Sequence, residues 1–111
     1  MAVRLNRKLE LQEALQIADG AGGFTKTWSS LGTLWAELEP GSGSESADQL
    51  LTLSSVPYRI TVRGAPDGAP SRPKPDQRFI EGSRVFRILA VTERDLDGRY
   101  LICFTREEVA S

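Results

Sequence analysis

Apolar and polar side chains alternate along several stretches of the chain, and this period of two is typical of β-strands with one buried face. The clearest case is YRITVRG (residues 58–64), in which tyrosine, isoleucine and valine alternate with arginine and threonine. KLELQEALQIA (residues 8–18) also alternates, although a helical stripe through Leu5, Leu9 and Gln12 fits it too. The next residues, DGAGGF (residues 19–24), accept positive φ readily, so we predict a hairpin between two strands.

The strand that returns from this hairpin, FTKTWSSLGTLWAELEP (residues 24–40), contains both tryptophans, Trp28 and Trp35. Glycine has no side chain to pack within a strand, so Gly32 predicts a bulge or a bend. Large aromatic side chains commonly anchor cores and interfaces, and we expect both tryptophans to do so.

Another strand, RVFRILAVT (residues 84–92), follows a turn predicted at residues 81–83. It is apolar on both faces, with Phe86, Ile88 and Ala90 on one and Val85, Leu89 and Val91 on the other. Strands of this kind are buried on both faces, so we expect a partner or a neighbouring segment to cover the outer face of this strand. Asp97 and Gly98 then predict a tight turn before the last strand, which contains Cys103.

These elements amount to five or six strands joined by turns. Small all-β chains avoid open sheet edges by closing a barrel, so we predict an all-β fold, a small five- to six-stranded antiparallel β-barrel. At 111 residues the chain suits one hydrophobic core, and we predict a single domain over residues 1–111. Two long loops interrupt it, at residues 41–55 and 64–77. In the first, Ser46 and Gln49 resemble a capping box and predict one or two helical turns.

The second loop, GAPDGAPSRPKPDQ, holds four of the six prolines and has only alanines as hydrophobic residues. Connections longer than about 12 to 15 residues are usually functional or disordered. We therefore expect this loop to contact an adjoining protein or to line a channel, and Arg72 and Lys74 suit either contact with phosphate or plain solvation. The candidate interface or channel residues are Pro66, Asp67, Arg72, Pro73, Lys74 and Pro75.

The net charge of −1 conceals an uneven distribution. Residues 1–55 carry four basic and seven acidic side chains, whereas residues 56–106 carry ten basic and six acidic ones. Such polarity suits self-association or a charged partner, unless folding mixes the two halves. On the polar strand faces, arginines could pair with glutamates across the barrel or between subunits. The candidate intersubunit contacts are Trp35, Glu37, Glu39, Arg59 and Arg63.

Composition narrows the chemistry further. The chain has no histidine and one cysteine, Cys103, so it predicts neither an internal disulfide nor a metal site built on imidazole or paired thiolates. The carboxylates Glu93, Asp95 and Asp97 lie in a turn, where polar residues have a structural role. We predict no catalytic, cofactor or metal site. No apolar run approaches the roughly 20 residues of a membrane helix, and the basic start lacks a signal-peptide core.

The order of these motifs resembles that of the phage head-tail joining proteins, the head-closure or stopper proteins of long-tailed phages and gene transfer agents. The resemblance covers about residues 5–106. The matching points are TW at residues 27–28, LWAELEP at 34–40, GSGSES at 41–46, YRITVRG at 58–64, RFIEGSRVFRI at 78–88 and RDLDGRYLICF at 94–104.

The resemblance implies a non-catalytic β-barrel subunit of a homo-oligomeric ring. That ring would lie between the portal or its adaptor and the tail terminator or tail. It would continue the DNA channel, retain the packaged genome and attach the tail, with nonspecific contact to packaged DNA. The resemblance places the protein in a virion or phage-like particle assembled in the host cytoplasm. The two long loops would be its projections toward neighbours or the channel.

A second hypothesis is a small β-barrel that binds nucleic acid by itself. Such modules usually expose aromatic side chains on a basic sheet face. The strand with Arg59 and Arg63 has no aromatic residue on its polar face, so the connector ranks first. Salt-dependent binding of oligonucleotides by the monomer would favour the alternative.

Overall fold

The computed structural model describes residues 2–41 and 55–108. Its strands are β1 (Arg7–Ala18), β2 (Phe24–Pro40), β3 (Ser55–Arg63), β4 (Arg78–Glu81), β5 (Arg84–Glu93) and β6 (Tyr100–Glu108). All pairs are antiparallel, and the order β1-β2-β3-β6-β5-β4 closes on itself, because β4 pairs with β1. The predicted all-β barrel is confirmed. The predicted helical turns lie outside the described residues.

Alternation determines which side chains enter the barrel. Inward positions on every strand carry apolar residues, and their burial is the main term that stabilises the fold. Phe79 and Phe86 are the largest of the fully buried side chains. Thr105 is also buried, and its hydroxyl is satisfied because Oγ1 donates a hydrogen bond to the carbonyl oxygen of Tyr58, 3.0 Å away. The core comprises Leu9, Leu11, Ala36, Ile60, Val62, Phe79, Phe86, Ile88, Leu101 and Cys103.

Two bulges change the faces of the strands. The first inserts Leu31 between the pairs Leu11–Gly32 and Gln12–Ser30, where Gly32 has a φ of 120°. This confirms the predicted irregularity. A second bulge at Leu89 shifts the pairing of β5 with β6. The prediction that Ala90 faces the same side as Ile88 is therefore wrong, because the extra residue turns Ala90 outward and Val91 toward the core.

The barrel has two different ends. The upper end carries the β1–β2 hairpin, the loop at residues 64–77 and the β5–β6 turn; the lower end carries the β4–β5 turn. The pairing of β1 with β4 ends at Gln12, and the pairing of β2 with β3 begins only at Ala36. Beyond Gln12, β1 and β2 therefore pair only with each other among the described residues. We call residues 13–29 the arm. Six residues of strand make it about 20 Å long.

Candidate assembly surfaces

The loop at residues 64–77 does not project; it folds across the upper end of the barrel. Pro73 is fully buried, and Gln77 is nearly so. Gln77 fastens the loop to β5, because its carbonyl oxygen accepts a hydrogen bond from the amide nitrogen of Ile88 at 2.9 Å. Its side-chain Oε1 accepts another from the amide nitrogen of Lys74, also at 2.9 Å. Nη1 of Arg72 donates to the carbonyl oxygen of Ala65 at 2.9 Å.

This geometry divides the candidate loop residues into two groups. Pro73 belongs to the interior of the subunit and is not accessible to a partner, because the proline ring seals the barrel end. Arg72 is half-buried and bonded within the loop. The exposed candidates are Pro66, Asp67, Lys74 and Pro75. Their contact with a channel or an adjoining ring stays a prediction.

The candidate intersubunit residues share the outer face of β2 and β3. Trp35 is 56% exposed and lines a cleft with Leu5 and Arg63. Glu39 lies directly opposite Arg59 in the register. Within residues 2–41 and 55–108, however, neither Arg59 nor Arg63 forms an ion pair with a glutamate. Glu37 instead accepts a hydrogen bond at Oε2 from the amide nitrogen of Arg4, at 2.9 Å. Pairing of these side chains between subunits stays a prediction.

A network of inward-facing charges closes the lower end. Arg7 binds Glu81 through two nitrogens, with Nε 2.7 Å from Oε2. Arg84 binds Glu107 in the same way, with Nε–Oε2 and Nη2–Oε1 distances of 2.6 and 3.1 Å. The hydrogen bond from Arg7 holds the pKa of Glu81 below its usual value, and the bond with Glu107 raises the pKa of Arg84. The network satisfies its own charges, and we assign it a structural role.

The guanidinium of Arg84 also contacts the aromatic side chains beneath it. Its Cζ lies 4.9 Å from the ring centre of Phe86 and 5.6 Å from that of Tyr58. The two rings meet edge to face, with centroids 5.5 Å apart. Ion pairs and rings thus form successive layers at this end.

Three arginines form a row across the outer wall, and sequence reasoning missed it. Arg78 lies opposite Arg87, and Arg87 lies opposite Arg106, on β4, β5 and β6. We call these three the arginine row. Like charges in direct cross-strand positions repel one another, and Asp76, 3.8 Å from Arg87, offsets the charge of that arginine. The row depends on the register of three strands, which no local motif reveals.

An aromatic side chain extends this row onto the arm. The guanidinium of Arg78 lies 3.9 Å from the ring centre of Trp28, and Nζ of Lys26 lies 4.9 Å from it. Arg78 also donates from Nε to Oε1 of Gln12 at 2.8 Å. Trp28 therefore anchors the arm to the barrel wall through its cation–π contact with Arg78.

Two apolar surfaces lie exposed on opposite sides of the barrel. One is on the arm, where Leu15, Ile17 and Phe24 are exposed. The other, which we call the outer patch, consists of Leu89 and Phe104 on β5 and β6. The patch borders a shallow cleft that Arg59 and Arg106 also line. The outer face of β5 was expected to be covered, and no described segment covers Leu89.

The candidate groups for chemistry have structural positions. Oδ1 of Asp95 accepts a hydrogen bond from the amide nitrogen of Arg99 at 2.9 Å and so holds the β5–β6 turn. Cys103 is buried, which raises the pKa of its thiol to about 12. Among the described residues, no group of three histidine, cysteine, aspartate or glutamate side chains could hold a metal ion. In the same residues, no helix is long and apolar enough to cross a membrane.

Comparison with known proteins relates this geometry to a family. The model of the phage head completion proteins matches residues 1–108. A chain from the virion of a native gene transfer agent particle is 58% identical; the alignment covers 99% of this chain and 100% of that one, with a TM-score of 0.82. Protein SF1141 from Shigella flexneri 2a is 23% identical over 98% of this chain and 96% of its own, with a TM-score of 0.66, which shows the fold alone. No curated protein sequence matches the chain.

Proposed function

The chain belongs to the phage head completion protein family and has the structural role of a head-tail connector component; from this premise we propose that it forms a homo-oligomeric ring between the portal or its adaptor and the tail. The ring continues the DNA channel, retains the packaged genome and presents a surface to the tail terminator or tail. It assembles in the host cytoplasm and stays in the finished particle.

The observation that carries this proposal is the likeness to a virion component over essentially the whole chain. At 58% identity and a TM-score of 0.82, the likeness extends through both ends of the barrel. A stacked ring needs subunits that keep their shape under load. Here the loop at residues 64–77 seals one end of the barrel and the Arg7–Glu81 and Arg84–Glu107 pairs seal the other.

We further propose that the protein has no catalytic activity. Among the carboxylates of the β5–β6 turn, Glu93 and Asp97 are exposed and Asp95 accepts a backbone hydrogen bond within the turn, and Cys103 is buried in the core. An activated nucleophile needs an adjacent base or a lowered pKa, whereas burial raises the pKa of the Cys103 thiol.

Cryo-electron microscopy of purified particles tests the connector ring. We expect density for a ring of small barrels between portal and tail, with the wild-type chain fitting without rearrangement of its core. Absence of the chain from tailed, DNA-filled particles, or its location elsewhere in them, would refute the proposal.

One observation favours the second candidate function, binding of nucleic acid by the free subunit. The arginine row and Trp28 place basic and aromatic groups together on one outer wall, as single-strand binding surfaces do. Titration of labelled oligonucleotides by fluorescence anisotropy at several salt concentrations tests it. If each arginine contacts a phosphate, the logarithm of affinity should fall with the logarithm of salt with a slope of about −2 to −3.

Matched variants complete that test. Arg87→Gln should lower both the affinity and the salt slope, whereas Arg94→Gln, in the exposed β5–β6 turn, should leave them unchanged. Equal effects of the two variants, or no binding by wild-type protein at low salt, would exclude this second function.

A further inference from the structure

The arm and the outer patch lie on opposite sides of the subunit. In the closed strand order, β6 is three strands away from β1, and β5 is three strands away from β2. The arm belongs to β1 and β2, and the patch to β5 and β6. A subunit that uses both surfaces can therefore meet one neighbour on each side.

The exposed side chains of both surfaces are those of an interface. Ile17 on the arm is 53% exposed and Leu89 in the patch is 49% exposed. Leu15 and Ile17 continue the core face of β1 beyond the end of the barrel, where the described residues leave about half of each side chain exposed. Phe104 adds an aromatic ring beside Leu89. Neighbouring exposed apolar side chains that are surrounded by polar ones suit a docking surface.

The charges around the two surfaces are of opposite sign. Arg59 lies directly opposite Phe104 in the register, and Arg87, which is 3.8 Å from Asp76, lies on β5 two residues before Leu89, so the basic side chains outnumber the acidic one. The arm carries two carboxylates, Glu13 and Asp19, and one lysine, Lys26, so its net charge is −1. Asp19 accepts hydrogen bonds at Oδ1 from the amide nitrogens of Ala21 and Gly23, at 2.8 and 3.0 Å, and these bonds lower its pKa.

The same charges disfavour symmetrical pairing. Contact between two outer patches would bring Arg59 and Arg87 against their own copies, and contact between two arms would do the same with Glu13 and Asp19. Like charges brought together at an interface disfavour association. Contact between an arm and a patch pairs opposite charges instead. Such head-to-tail contacts generate rings when the rotation between subunits closes.

We propose that the arm of each subunit lies on the outer patch of the next copy, with Leu15 and Ile17 against Leu89 and Phe104 and the arm carboxylates facing Arg59 and Arg87. The partner is a second copy of this chain. The inference rests on the proposed ring and identifies the two surfaces that build it.

Disulfide cross-linking within particles tests the contact. Particles are prepared with the double variant Ile17→Cys/Leu89→Cys, oxidised, denatured and run on a non-reducing gel. Each copy then carries one thiol on its arm and one in its patch, so we expect a ladder of linked copies. Single variants should remain monomeric. The control Ile17→Cys/Leu96→Cys, with Leu96 fully exposed in the β5–β6 turn, should form no ladder.

A second pair of variants decides the question if the double variant does not assemble. Ile17→Arg and Leu89→Arg place a charge at exposed positions, so circular dichroism should show the wild-type fold. We expect both to be missing from particles, while Leu96→Arg enters at wild-type levels. Entry of Ile17→Arg and Leu89→Arg at wild-type levels would overturn the proposal, as would incorporation of the double cysteine variant without a ladder.

The outcomes separate this inference from the connector function. If the wild-type chain forms a ring between portal and tail but the cross-link does not form, only the arm–patch contact fails. If the chain is absent from particles, the connector proposal itself fails.

Discussion

Gly64 shows how one absent side chain shapes the upper end of the barrel. It stands directly after β3, and its amide nitrogen donates to the carbonyl oxygen of Arg99 at 2.7 Å. A Cβ added at this position would overlap the carbonyl oxygen of Gly98, which belongs to backbone and cannot move away easily. The loop at residues 64–77 therefore begins against the β5–β6 turn because its first residue has no side chain.

Gly64→Ala should destabilise the protein by about 1 to 3 kcal/mol, the usual cost of forcing extra atoms into a packed site. Urea unfolding followed by circular dichroism measures the change. Leu96→Ala, in the neighbouring turn, serves as the surface control and should stay within about 0.5 kcal/mol of wild type. Equal stability of Gly64→Ala and wild type would show that the turn yields readily.

Cys103 should be unreactive in the folded protein. The thiolate is the reacting species, and burial raises the pKa of this thiol to about 12. At pH 8 we expect a chromogenic thiol reagent to label it only in urea, at the rate of a free thiol. Rapid labelling without denaturant would mean that the strands around Cys103 open frequently. Slow labelling also keeps Cys103 out of the cross-linking experiment.

At the scale of elements, the network of charged side chains at the lower end of the barrel joins β1, β4, β5 and β6. Arg7 and Glu81 link β1 to β4, and β4 has only four residues with which to close the barrel. Arg84 and Glu107 link β5 to β6. The β1–β4 seam contains three paired backbone positions, and the Arg7–Glu81 and Arg78–Gln12 side-chain bonds add to its closure.

Glu81→Gln should lower the free energy of unfolding at pH 7, and the difference from wild type should be smaller in acid. The pKa of Glu81 is lowered in the folded state, so its contribution is present above the unfolded value of about 4.3 and is lost as pH falls through the folded pKa. Urea unfolding at pH 7 and at pH 3 should show a gap from wild type that narrows at the lower pH. Glu39→Gln, on an exposed position, should show a small gap at both.

The loop at residues 64–77 offers a separate prediction. If its exposed face meets a channel or an adjoining ring, Lys74→Glu should leave the melting temperature almost unchanged and lower the yield of DNA-filled, tailed particles. Lys8→Glu makes the same charge change on the outside of β1 and should have no effect. Reduced yields from both variants would point to net charge instead of the loop. Deleting the whole loop is a poor test, because it would remove Pro73 from the interior.

Local patterns predicted the strands well and their mutual placement poorly. Alternation located β1, β3 and β6, and Gly32 marked a real bulge. No glycine marks the bulge at Leu89 in the sequence, so the prediction assigned Ala90 and Val91 to the wrong faces of β5. The loop at residues 64–77 looked like a projection because it is polar and rich in proline. One buried proline and the hydrogen bonds of Gln77 hold it down, and both depend on strands distant in sequence.

At the scale of the molecule, the basic side chains concentrate on four adjoining strands. Residues 56–106, which supply most of β3 to β6, carry ten basic and six acidic side chains, whereas residues 2–41, with β1 and β2, carry four basic and five acidic ones. Strand order could have interleaved the two parts, and sequence alone could not exclude that. The arginine row on one wall is the local result of this separation.

We propose that residues 1–111 unfold as one domain, since every described strand contributes to the same barrel. Far-ultraviolet circular dichroism and tryptophan fluorescence should give coincident urea transitions, as in two-state unfolding. Trp28 reports on the arm and Trp35 on the barrel wall. An earlier fluorescence transition that disappears in Trp28→Phe would show that the arm unfolds separately.

The position of β6 has a consequence for how the chain is made. It lies between β3 and β5 in the barrel yet comes after both along the chain. During synthesis from the amino terminus, β3 and β5 each expose an unpaired edge until residues 100–108 emerge, and such edges pair readily with strands of other unfinished chains. Gln12 must also find Arg78 across 66 positions. Non-local pairing of this kind takes milliseconds to seconds, so nascent chains are most prone to aggregate just before β6 emerges.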